Sequence, residues 1–158
     1  MFCLKEPTVT DQISDLEALE KTLEFASFDQ NAAWRLGSAA VDIIVERQLV
    51  LAVQIVLGSH VVFKAALNGV DSETDDWLSG KAAAALHFQS STLRVRLRND
   101  ADPATTAGID TDKIRPHGGS VPIWVPGRGI VGTITVSGEP DTVDHEVAVA
   151  AIQRAIAS

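Results

Sequence analysis

Two strand-like runs, each folded back on itself by a glycine turn, constrain this chain more than any other feature of its sequence. The first is LVLAVQIVL (49–57), followed by Gly58, Ser59 and His60 and then VVFKAAL (61–67). The second is SVPIWV (120–125), the turn PGRG (126–129) and IVGTITV (130–136). β-Branched and apolar residues bounded by such turns read as hairpins, and a hairpin imposes antiparallel pairing. Both faces of the 49–57 run are apolar, which places it in the middle of a sheet with helices on both sides.

The rest of the chain supplies those helices. Ile13, Leu16, Leu19 and Leu23 recur at three- and four-residue steps, predicting an amphipathic helix that ends near Phe25. Asp29 is a suitable N-cap for a second helix running to about Gln48, in which Trp34, Gly37, Val41 and Ile44 share a face. In SETDDWLSGKAAAALHF (72–88), Ser72 is placed to cap a third helix with Asp75 reaching back. A last helix carries Val143, Val147, Ala150 or Ala151, and Ile156 behind an acidic start at Asp141, Asp144 and Glu146. Leu93, Val95 and Leu97 alternate with three arginines, the pattern of a half-buried strand, and Asp100 to Arg115 reads as a long ordered loop. Hairpins separated by helices in this order give an α+β sandwich, not a doubly wound nucleotide fold.

A length of 158 residues with 46% hydrophobic content suits one domain, 1–158, with residues 1–10 as a flexible tail. The net charge of −8 argues against nucleic-acid or anionic membrane partners, and Arg94, Arg96 and Arg98 form too short a basic run to reverse that. Cys3, alone, makes no internal disulfide and reads as a bystander. The N-terminus lacks a signal-peptide pattern, and the most apolar tract, 49–67, is interrupted by Gln54, Gly58–His60 and Lys64, short of the roughly 20 apolar residues a spanning helix needs. A cytoplasmic location is expected.

Chemistry is concentrated between His117 and Glu146. The glycines of VPGRGIVG sit in a hairpin with no helix directly after them, so they do not make a phosphate loop, and Ser137 lacks the flanking spacing of a nucleophile elbow. His117 and His145, with Asp144 and Glu146, can be read as metal ligands or an acid/base pair brought together by the hairpin. They can equally be structural: Asp144 capping the last helix, His145 exposed in its first turn, His117 bonding to loop backbone. His60 in a turn and His87 near a helix end are further candidates for axial ligands to a haem, and both also read as structural. Lys81, four residues after Trp77, is placed to lay its stem over the indole.

The segments HGGSVPIWV, GIVGTITVSGEP and DHE, together with DDWLSGKAAAALHFQSS and FDQNAAWRLGSA, resemble the GlcG/HbpS-like family, often labelled haem-degrading domain, and within it a cytoplasmic subfamily shared by bacteria and fungi. The resemblance spans about Ile13 to Ile156. It implies a mainly antiparallel sheet of about five strands flanked by helices, similar to profilin-like or roadblock-like sandwiches, and homo-oligomers from dimers to larger rings. It also implies a short helix over residues 91–99 in place of the strand that the alternation predicts, which leaves the fifth strand to the tail or the long loop. The positions that carry over are His117, Gly118, Gly119, Pro122, Gly132, Ser137, Gly138, Asp144 and His145, with Trp77, Asp76 and Lys81; none matches a known catalytic residue. With no cysteine haem-attachment signature, any haem would be held noncovalently. Three functions follow as expectations: a small-ligand or haem-binding protein, with or without haem degradation; a non-enzymatic oligomeric adaptor; and a metal-dependent hydrolase built on His117, Asp144 and His145.

Overall fold

The computed structural model describes residues 5–158, so the first four residues of the expected tail, Cys3 among them, lie outside it. The chain forms α1 (Val9–Glu20), α2 (Gln30–Glu46), β1 (Ala52–Leu57), β2 (His60–Ala66), α3 (Thr74–Phe88), α4 (Thr92–Ala101), a 3-10 turn (Pro103–Thr106), β3 (Ser120–Val125), β4 (Gly129–Ser137) and α5 (Asp141–Ala157). Helix α1 therefore starts inside the expected tail. Thr8 and Asp11 bond reciprocally to each other's backbone N–H groups there, a capping box that satisfies two of the donors a helix start leaves free.

Both hairpins form. They join side by side in one antiparallel sheet of order β2-β1-β4-β3, with Ala52 to Leu57 of β1 paired to Ser137 to Gly132 of β4. The doubly apolar run thus occupies a central strand. The described residues contain four strands rather than five. What remains of a fifth is a single bridge between α1 and α2, where Glu24 pairs in parallel with Trp124 and the Phe25 N–H donates to the Trp124 carbonyl at 2.9 Å. The chain then turns into α2 at Asp29, whose carboxylate accepts from the Ala32 N–H.

Strand alternation divides the interior into two unlike layers. Val53, Ile55, Val121, Ile123, Ile134 and Val136 point to one face and build the hydrophobic core with α2 and α5. Their neighbours Gln54, Ser120, Thr133, Thr135 and Ser137 point to the other face, are buried, and are polar. That layer lies under α3, with Ser120 and Thr135 hydroxyls bonded at 2.9 Å and Thr92 of α4 accepting the Ser120 N–H. On α2 the buried stripe is Ala33, Leu36, Ala40, Ile43 and Ile44. Trp34 is 65% exposed and stacks edge-on against Phe63, while Gly37 admits the Phe63 ring to within 2.4 Å of where a Cβ would stand.

Residues 92–101 are helical, as the family resemblance implies and the alternation does not. Ser91 caps α4 by accepting from the Arg94 N–H, and Arg96 and Asp100 pair one turn apart. The alternation misleads because two of the three arginines are spent on internal partners: Arg94 reaches Glu20, and Arg96 reaches Asp141 as well as Asp100. Ser72 does not cap α3. The helix has no side-chain cap, and Asp71 bonds the Glu73 N–H instead.

Candidate functional site

The approach to β3 brings His117, Gly118 and Gly119 against the start of α5. The Gly118 N–H donates to Asp141 at 3.1 Å, and the Val136 N–H donates to the Gly119 carbonyl at 2.8 Å. Gly119 has φ +137°, and a Cβ on it would lie 2.3 Å from the Val136 carbonyl and 2.9 Å from Lys81 Nζ. Only glycine meets both demands.

Beside this corner is a cavity of about 310 Å³, lined by Trp77 and Lys81 of α3, His117, Ser137 and Gly138 at the end of β4, and Asp144 of α5. Asp71, Glu73, Thr74, Glu139 and Asp141 complete its wall. Lys81 is 3% exposed and Asp144 1%. The ammonium donates to Asp144 at 2.8 Å and to the Val136 carbonyl at 3.1 Å. The Asp144 carboxylate also accepts the Glu139 N–H at 3.0 Å. Burial pushes the Asp144 carboxyl up to about 6, against the pull of Lys81 and the backbone donors.

This arrangement corrects one expectation. Asp144 is not the cap of α5, whose N-cap position is Pro140; it lies too deep in the helix and is turned into the cavity, where it serves Lys81. Lys81 turns its ammonium to Asp144, and a second cation stands over the Trp77 indole. Arg115 is that cation, with its guanidinium carbon 4.6 Å from the ring centroid, while His117 stands edge-on to the same ring at 5.3 Å. His117 is exposed at the rim, and partial burial lowers its pKa below the usual histidine value despite Asp141 nearby.

His145 follows Asp144 directly but faces away from this cavity, and it is buried, not exposed. It lines a groove of about 680 Å³ walled by Leu16 and Leu19 of α1, Leu93 and Leu97 of α4 and Val149 of α5, with Arg47 and Arg96 also present. Both ring nitrogens are buried without a hydrogen-bond partner, and burial holds the imidazole neutral, with its pKa lowered to about 4. The expectation of an exposed His145 fails because α1 and α4, which line the same groove, are distant from it in the chain.

The motif positions therefore divide. Trp77, Lys81, His117, Ser137, Gly138 and Asp144 share the cavity, with Gly118 and Gly119 behind it, and His145 belongs to the groove. Pro122 is buried in β3, a sheet-edge strand that tolerates its missing N–H, and lines neither space. Asp76, His60 and His87 are exposed and also line neither. His117, Asp144 and His145 do not converge, and no group of three His, Cys, Asp or Glu among the described residues could hold a metal ion. The metal-hydrolase arrangement is thereby lost. Sequence reasoning passed over Asp71, Glu73 and Glu139 as sites; all three lie in turns, and only proximity in space connects them with Lys81.

Among the described residues no helix is long and apolar enough to cross a membrane. The family described as "Haem degrading protein HbpS-like" matches residues 28–153. A UPF0303 protein of Rhizobium johnstonii is 38% identical over 147 residues, covering 92% of this chain and 91% of its own. Among solved structures, the Ybr137w protein superposes with a TM-score of 0.85 at 23% identity over 100% of this chain and 99% of its own. A structure described as a PduOC:heme complex superposes with a TM-score of 0.67 at 21% identity, covering 80% of this chain and 94% of its own. The family match over residues 28–153 and the 38% identical relative covering 92% of this chain agree, and the chain belongs to the HbpS-like family.

Proposed function

We propose that this protein binds haem noncovalently in the groove between α1, α4 and α5. The observation that carries the reading is His145. A buried imidazole with neither nitrogen bonded costs the fold about 1–3 kcal/mol, and such a group calls for a ligand or water to satisfy it. Its depressed pKa keeps the ring neutral at physiological pH, the form in which histidine meets iron. The leucine walls suit the apolar body of a porphyrin, and Arg47 is placed for its carboxylates. Bound haem would supply a redox-active iron to the site, and His145 with the leucine walls would hold it. The motif cavity does not fit haem, being smaller and ringed by carboxylates.

Hemin titration of the purified protein, read at the Soret band, tests this. A saturable shift is expected, weakened at least about tenfold by His145→Ala and unchanged by His117→Ala. No saturable shift, or equal affinity in both variants, would refute it.

Assembly is a second property with its own support. Strand β2 is a sheet edge, Val61 on it is 48% exposed, and Trp34 and Val45 of α2 are 65% and 55% exposed. An unpaired edge beside apolar side chains is a surface for a second copy of the chain. Light scattering after size exclusion should give a mass of at least a dimer, reduced by a Val61→Lys, Trp34→Glu double variant; a monomeric native protein would sink this reading, adaptor role included.

A further inference from the structure

The motif cavity is built around an amine, and its ligand is of another kind. Lys81 Nζ has three donors, two of them spent on Asp144 and Val136, and the side chain lines the cavity floor. Gly119 keeps free the space beside the nitrogen that any other residue would fill. Buried ion pairs add little stability over a well-packed apolar pair. A lysine and a carboxylate kept at 3% and 1% exposure on the floor of an open cavity therefore point to use.

We propose that Lys81 forms an imine with small aldehydes or ketones, with Asp144 carrying the proton. The ammonium passes a proton to Asp144 Oδ2, and the freed lone pair on Nζ attacks the carbonyl carbon. A C–N bond forms as the carbonyl π pair moves to oxygen. That oxygen takes a proton from the new ammonium centre, giving a carbinolamine. Asp144 then returns its proton to the hydroxyl, which leaves as water while the nitrogen lone pair closes the C=N bond. The site begins and ends with one cation beside one carboxylate, so no unpaired charge is buried at any resting stage.

The walls select among carbonyl compounds. Trp77 offers an apolar face, with Arg115 stacked on the same ring. Asp71 and Glu73 stand at the wall beside it. Carboxylate or phosphate groups on a ligand would meet like charge there, whereas neutral or amine-bearing carbonyl compounds would not. The ligand class is a small uncharged or cationic aldehyde or ketone. This inference concerns a different cavity from the haem reading, and either can fail alone.

The test uses the full-length, haem-free chain with glycolaldehyde or pyruvate as the probe, cyanoborohydride to trap the imine, and peptide mass spectrometry to locate it. Exposed Lys5, Lys21, Lys64 and Lys113 serve as internal references. With glycolaldehyde, Lys81 should be modified at least about tenfold faster than these four, and with pyruvate that preference for Lys81 over the four should vanish. Asp144→Asn should slow labelling of Lys81 alone. Glu73→Gln, on the cavity wall, should narrow the gap between the two probes and keeps the test decisive should Asp144→Asn unfold. Labelling of Lys81 no faster than the exposed lysines in the native protein would overturn the proposal.

Discussion

Replacing His145 with leucine should expose a pH dependence that the native protein conceals. Asp144 is held at about 6 instead of 3.8, so the fold takes up a proton more readily than the unfolded chain, and stability from this group rises as pH falls through 6. His145 is held at about 4 instead of 6.5, so its contribution is complete above 6.5 and is lost as pH falls toward 4. Each pH unit of displaced affinity is worth about 1.4 kcal/mol, and both side chains are almost fully buried. Between pH 7 and pH 4.5 Asp144 then adds about 2 kcal/mol and His145 removes about 2 kcal/mol. The charges they face, Lys81 for Asp144 and Asp141 for His145, are present in both proteins. Urea unfolding of haem-free native protein and His145→Leu at the two pH values measures the difference directly. The variant should gain about 2 kcal/mol over the native protein on acidification. Should the two proteins differ by the same amount at both pH values, the assignment of a strained, neutral His145 is wrong.

Three further substitutions probe the frame. Asp144→Ala leaves a buried ammonium unpaired and should cost about 3–5 kcal/mol in urea unfolding, well beyond the ~1 kcal/mol of a lost helix cap; a loss near the smaller figure would show that the pair is dispensable. Ser91→Ala removes the α4 cap and should cost about 1 kcal/mol, read as a lowered melting temperature. Gly37→Ala drives a methyl into the Phe63 ring and should cost about 1–3 kcal/mol, with loss of the Trp34–Phe63 stacking signal in near-ultraviolet circular dichroism.

Much of the fold is legible from local pattern. Glycine turns between β-branched runs specify both hairpins, and Asp29 announces α2, because these signals act within a few residues of chain. Residues 93–98 mislead since an alternation of leucine, valine and arginine fits either a strand with a wet face or a helix whose arginines find acids elsewhere. The acids, Glu20 and Asp141, are far away in sequence. The candidate site follows the same division. Glycines and the proximity of His117 to the α5 start mark the corner, but the opposite orientations of Asp144 and His145 depend on which helices cover each side of α5. Neighbouring residues on a helix point about 100° apart, and no local signal says what either will meet.

The β1–β4 seam has a kinetic consequence. Each hairpin closes on its own short turn, yet the bond from the Val50 N–H to Glu139 at the end of the seam joins residues 89 positions apart. Closing so long a loop carries an entropy cost that local contacts do not repay in advance, and non-local antiparallel pairing is the slow kind. Refolding should then proceed through preformed hairpins to a late docking of β4 on β1. Ser137, Gly138 and Glu139, which line the motif cavity, sit where that docking finishes, so the cavity is among the last parts of the molecule to exist and only a completely folded chain presents it.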